Sequence, residues 1–181
     1  LIASEKIKRR LKFHRPSLRA RARAPKQRTS LGAQFSAANL SSSLAMQHCT
    51  HCGYVQYPPT ELCGRCLEDA LVYRDTIGTG VLLARTELHH SLWEFFKRRL
   101  QQGTWVMGSV KLDAGPVVLL HIGDIRLKPR DRVIVFSHSD NSQSVVLIAV
   151  PEDCDITESS TRHEIVGSLG LDQPALKEGG I

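Results

Sequence analysis

Hydrophobic and polar positions alternate through the second half of the chain in short stretches separated by turn residues. Trp105–Leu112 alternates well enough for a half-buried strand, and Asp113-Ala114-Gly115-Pro116 supplies the turn after it. Val117–Ile122 is a continuous apolar run, which predicts a central strand. Residues 126–131 form a polar bend, and residues 132–138 alternate around Val133, Val135 and Ser137. After the turn signal Asp140-Asn141-Ser142, residues 144–150 read as the last strand. Upstream, residues 76–86 mix β-branched side chains with Gly78 and Gly80, the pattern of a first barrel strand that must bend. A helical pattern lies between the first two strands. There Ser91 caps a segment in which Leu92, Phe95, Phe96 and Leu100 fall near one face, with Lys97, Arg98 and Arg99 at the end where positive charge is favoured. These elements predict a mainly β body with one short helix, and the five-stranded OB-fold barrel is the natural candidate.

Charge and composition change the picture mainly at the ends. The 181 residues carry a net +6, but residues 1–45 hold eleven Lys/Arg against the single acid Glu5, a net of +10, which leaves −4 for the rest. The body is therefore mildly acidic and the basicity belongs to the first 45 residues. That segment has no core periodicity and ends in Ser- and Ala-rich sequence, so disorder is expected. Three readings of it stand: a basic arm for nucleic acid, an Arg- and Ser-rich transit peptide, or non-functional sequence upstream of a start at Met46. Either way, a chain beginning at Met46 is expected to keep the fold. Residues 151–181 are polar and Gly-rich and read as a tail with no more than a helical turn. No apolar run approaches the roughly 18 residues of a membrane span. The chain is expected to be soluble and, with thiols kept reduced, cytoplasmic.

The sharpest chemical signal lies between these parts. Cys49-Thr50-His51-Cys52-Gly53 is followed by Cys63-Gly64-Arg65-Cys66, two C-x-x-C pairs in a span too short for a core of its own. Such spacing turns four sulfurs toward one point, and a tetrahedral metal is the natural occupant. Zinc suits a closed four-thiolate site best, with iron in a rubredoxin-like site as the alternative. Gly53 fits a knuckle requiring positive φ, and Tyr57-Pro58-Pro59 reads as a stiff return to the second pair. Two disulfides, four ordinary cysteines or a thioredoxin-like redox pair are the competing accounts. The implied organisation is a disordered basic segment (1–45), a zinc ribbon (46–70), an OB-fold (71–150) and a polar tail (151–181).

The wording C-T-H-C-G-Y-V-Q-Y-P-P, then C-G-R-C-L, then D-T-I-G-T-G with Gly78, Gly80 and Val81, resembles the family called domain of unknown function 35. The resemblance covers about residues 47 to 150. It implies a rubredoxin-like zinc ribbon joined to an OB-fold, with Cys49, Cys52, Cys63 and Cys66 as metal ligands. It also implies an accessory subunit that docks on a thiolase-like acyl-CoA enzyme and helps complete its CoA-ester site. Where relatives often place a glycine before the fourth strand, this chain has Pro129-Arg130-Asp131.

Other polar residues offer less. His89 and His90 are adjacent and on an extended segment point opposite ways. His121 reads as a core or partner-facing residue. Asp113, Asp124 and Asp131 fall at turns, where carboxylates bond nearby backbone, and Ser91 and Ser109 lack a nucleophile elbow. No catalytic set is legible, and no activity of the chain alone is expected. The competing class is a single-stranded nucleic-acid binder, which would need a basic groove and aromatic platforms on its strands. Here the body is acidic, and only Trp105 and Phe136 sit within strands. Trp93 and Phe96, with Arg98 and Arg99, are the expected partner contacts on the short helix.

Overall fold

The computed structural model describes residues 29–40, 42–90, 100, 105–139 and 145–171. Within them, helix α1 (Ser30–Ala38) precedes strands β1 (Ala45–Cys49), β2 (Val55–Gln56) and β3 (Leu71–Asp75), which form an antiparallel sheet in the order β2-β1-β3. Strands β4 (Thr79–Leu88), β5 (Trp105–Leu112), β6 (Val117–Ile122), β7 (Arg132–Ser139) and β8 (Val145–Pro151) close a barrel in the order β4-β5-β6-β8-β7, and helix α2 (Ser159–Ser168) follows. The β6–β8 pairing is parallel and the other barrel pairings are antiparallel. A mainly β fold with a ribbon ahead of a five-stranded barrel is thus what the alternation pattern implied.

The glycines at the start of the barrel are there for closeness of approach. A Cβ on Gly78 would sit 1.9 Å from the Val135 carbonyl oxygen, and one on Gly80 would sit 2.5 Å from that of Lys111. Val135 N–H donates to Gly78 O at 2.8 Å, so the backbone of β7 lies directly against this segment and the barrel closes there. The 129–131 bend needs no glycine. Arg130 itself takes φ +82, and its N–H donates to Leu82 O at 2.7 Å while Asp131 O accepts from Leu82 N–H at 3.0 Å.

Four expectations need correction. First, the described residues before the ribbon, 29–40 and 42–44, carry a helix docked on the core. Thr29 accepts from Gly32 N–H at 3.1 Å and caps α1, whose Phe35 is buried against Tyr57 and Tyr73 with ring centroids 5.7 and 6.3 Å away. Asn39 then ties the helix to β1, donating to Phe35 O and Ala45 O and accepting from Ala45 N–H at 2.7 Å. One aromatic among Ala and Ser residues is a weak periodic signal, but it is enough to dock a helix whose backbone is otherwise satisfied.

Second, β3 belongs to the ribbon sheet, pairing with β1 from Ala45↔Asp75 to Cys49↔Leu71, so the ribbon extends beyond residue 70. Third, β6 stands between β5 and β8, the place of a central strand, but it is not buried on both faces: Val118, Leu120 and Ile122 point into the barrel while Val117 and Leu119 are exposed. Its continuous run hid an alternation. Fourth, the C-terminal stretch carries α2, and Val166 and Leu171 pack with Phe136, Ile148 and Val150. Arg162 lies over the Phe136 ring at 4.8 Å and donates to Ser137 O at 3.2 Å. This covers the outer faces of β7 and β8, while Val133, Val135, Leu147 and Ala149 serve the barrel interior.

The barrel interior and the ribbon joint are continuous. Phe35, Leu44 and Met46 belong to the same buried cluster as Leu82, Val110, Leu120 and Val133, with Tyr57 and Tyr73 packed against it. Burying a large apolar side chain contributes roughly 1.5–3 kcal/mol, so the ribbon and barrel are joined by packing as well as by chain continuity.

Candidate metal centre

Two knuckles with the same backbone geometry bring the cysteines together. In the first, Cys49 N–H donates to Tyr54 O and Gly53 N–H to Cys49 O, each at 2.9 Å. In the second, Cys63 N–H donates to Glu68 O at 2.8 Å and Leu67 N–H to Cys63 O at 2.9 Å. Each turn ends with a residue in the left-handed region, Gly53 at φ +72 and Leu67 at φ +65. Glycine accepts that conformation freely, whereas an L side chain there costs roughly 1–2 kcal/mol.

The four sulfurs lie within 4.8 Å of one another, with Cys49–Cys66 and Cys52–Cys63 each at 3.6 Å. These are not disulfide distances, which are about 2.05 Å, and all four thiols are free. Tetrahedral bonds of about 2.3 Å set sulfurs roughly 3.8 Å apart, so the set has the size to enclose one metal ion. Cys49 and Cys63 are buried, and Cys52 and Cys66 are partly exposed. Burial acts to raise the Cys63 thiol, but N–H groups of Cys66 and Arg65 and the neighbouring thiols outweigh it and bring it down to about 6. Cys66 is pushed up to about 12: the Glu68 N–H favours its thiolate, but burial and the three other thiols together prevail. One thiolate is thus welcomed and further negative charge resisted, the electrostatic condition a bound cation relieves.

A buried amide pair holds the second knuckle against the sheet. Gln47 and Gln56 face each other on β1 and β2. Gln56 Nε2 donates to Gln47 Oε1 at 2.8 Å and to Thr60 Oγ1 at 2.6 Å, while Gln56 Oε1 accepts from Gly64 N–H at 2.9 Å. Gln47 Oε1 also accepts from Thr60 N–H at 3.0 Å. The loop between the knuckles is therefore anchored at its second-knuckle end, at Thr60, Leu62 and Gly64, by two glutamines that sequence reasoning did not single out. Their signal was a pair of amides beside the Tyr57-Pro58-Pro59 return.

The other sequence candidates disperse. Trp93, Phe96, Arg98 and Arg99, with the helix expected over residues 91–100, lie outside the described residues apart from Leu100. Exposed His89 stands 3.7 Å from Glu87. His121 is buried, and its Nδ1 accepts from Trp105 Nε1–H at 2.7 Å with the two rings 10° from parallel. Phe136 is fully buried and Trp105 nearly so, which removes both as stacking platforms. Asp124 and Asp131 accept backbone N–H groups of Arg126 and Lys128 at 2.8 Å. Asp113 instead pairs with Arg132, at 2.9 and 2.8 Å, and with Thr79. An open depression of about 740 Å³ is lined by Asp124, Arg126, Asp131, Arg132, Glu152 and Asp153 among others. Much of its charge is internally matched, Asp124 with Arg126 and Glu152 with Arg132, each at 2.6 Å. No helix among the described residues is long and apolar enough to cross a membrane.

A ribbon of this form running into a closed five-stranded barrel defines a two-part class, and comparison with known proteins agrees at both levels. Residues 41–72 match the family model described as ChsH2, rubredoxin-like zinc ribbon domain. The fold is similar to a solved structure described as "Ltp2-ChsH2(DUF35) aldolase", with a TM-score of 0.56 and 19% identity, covering 71% of this chain and 98% of that one. No curated protein matches the sequence. The family match thus concerns the ribbon, and the likeness of the whole is one of fold.

Proposed function

We propose that this protein is an accessory subunit, without turnover of its own, that docks on a thiolase-like acyl-CoA enzyme and helps complete its CoA-ester site. The observation that carries this reading is the shared ribbon-and-barrel architecture with a chain from an assembly whose description couples a DUF35 protein to an aldolase. The acyl-CoA and thiolase parts rest on the family resemblance of residues 47 to 150. In this reading Cys49, Cys52, Cys63 and Cys66 hold one structural zinc. Support for zinc comes from four convergent thiols with the size of a tetrahedral site and no weaker donor among them. When bound, the ion would fix the two knuckles; it would leave no open position for substrate.

The test is co-expression with the thiolase-like enzyme encoded nearest to it, followed by size-exclusion chromatography, metal analysis and an acyl-CoA assay. The expected result is a stable complex, about one equivalent of zinc, no turnover by this chain alone and a more active partner. A partner fully active alone and forming no complex would overturn the proposal. So would tight, salt-sensitive binding of single-stranded nucleic acid by the barrel.

A further inference from the structure

The two knuckles are alike in backbone, and the difference that bears on that backbone is the residue closing each turn. Where the first ends in Gly53, the second ends in Leu67, in the same left-handed conformation and 73% exposed. Arg130 bears the same backbone strain at φ +82, but its exposed side chain is charged and at home in water. A leucine does: its side chain strains the backbone and is left in water, and the fold would be served as well by glycine. Strain kept at an exposed apolar side chain points to a role outside the chain.

Its surroundings say what kind of surface this is. Leu62 is 50% exposed, and the Cys63–Glu68 backbone bond holds its segment beside that of Leu67. Tyr54 lies across the same knuckle, its ring edge 3.8 Å from where a Cβ on Gly64 would stand. The charged residues within two positions of Leu62 and Leu67 along the chain are Glu61, Glu68 and Asp69 against Arg65, all exposed, so the rim is net acidic.

We propose that the second knuckle is a docking tip, in which Leu67, flanked by Leu62 and Tyr54, inserts into an apolar depression of the partner enzyme whose edge is basic. This rests on the accessory-subunit reading above and adds where contact is made. The acidic rim selects a basic-edged pocket through charge complementarity, and it disfavours a second copy of this chain, whose tip would present the same negative charge.

The test uses the full chain with the co-expressed thiolase-like enzyme, comparing the parent with Leu67→Gly and Leu67→Asn. Both replacements suit the left-handed conformation, so metal content should be unchanged and the melting temperature of Leu67→Gly unchanged or raised. Calorimetric titration should show the complex weakened at least roughly tenfold by either. If the parent forms a complex and both variants bind as tightly, the tip is wrong while the accessory reading survives. If the parent forms none, the accessory reading itself fails and the tip with it. A lowered melting temperature for Leu67→Gly would mean that the leucine serves the fold, and loss of self-association without loss of partner binding would make a second copy the occupant. Either overturns the proposal.

Discussion

Replacing Phe35 by alanine tests whether α1 joins ribbon to barrel. The ring is 9% exposed and meets Tyr57 and Tyr73, which belong to the ribbon side, while Leu44 and Met46 continue the same cluster into the barrel. Core Phe→Ala changes cost about 3–5 kcal/mol, the range reflecting how far the site can collapse. A short helix near the edge of the cluster can settle inward, so the low end applies, about 3 kcal/mol, including the tilted aromatic contacts worth roughly 0.5–1.5 kcal/mol each. For a chain of this size that corresponds to a fall in melting temperature of about 6–12 °C. The melt is followed twice, by tryptophan fluorescence, to which buried Trp105 contributes, and by access of a labelling reagent to the ribbon thiols. Both signals should move down together. A shift under about 2 °C, or one confined to the thiols, would refute the joint, and a chain beginning at Met46 that melts like the parent would do the same.

Two further outcomes follow from the site and the barrel rim. Gln56→Ala leaves Gly64 N–H without its amide acceptor and frees the loop around Thr60; metal dissociation, followed by transfer to a chromophoric chelator, should be about tenfold faster, and an unchanged rate would dismiss the amide pair as a clamp. Asp113 is held at about 2 by its hydrogen bonds from Arg132 and Thr79. Because that value lies below the usual carboxylate range, its contribution is present above about pH 4 and lost as pH falls toward 2; Asp113→Asn should therefore flatten the acid limb of the stability profile in that window, and an identical limb would show that the pair is fully screened.

The four cysteines and the five barrel strands were legible because each follows a local rule: C-x-x-C spacing in one case, alternation bounded by turns in the other. What escaped depended on neighbours distant in sequence. Phe136, Ile148 and Val150 face outward once Val133, Val135, Leu147 and Ala149 have filled the interior. That leftover apolar surface required a cover, and asking for one would have led to Ile165, Val166 and Leu171 in the supposed tail. Phe35 escaped for a different reason, since a single aromatic in Ala/Ser sequence has no periodicity, and its partners Tyr57 and Tyr73 lie 22 and 38 residues away. Leu67 carries no signal in the sequence, because its left-handed backbone is set by the turn of the second knuckle, where it stands as Gly53 does in the first.

The placement of β8 between β6 and β7 has a consequence for how the chain is made. The ribbon's strands are all in hand once Asp75 has been synthesised, and its longest pairing, Ala45↔Asp75, spans 30 residues. The barrel is different: β6 and β7 are separated by β8, and β8 meets β6 in parallel through His121↔Ile148 and Ile122↔Ala149. The ring therefore stays open, with β6 lacking a neighbour, until residues near 150 have left the ribosome. The β4–β7 pairing that helps shut the ring joins Thr79 to Ile134, 55 residues apart, and distant pairings are the slow ones. During synthesis, the ribbon strands thus precede a barrel still unsealed, and the apolar face they share with it stays exposed until β8 emerges.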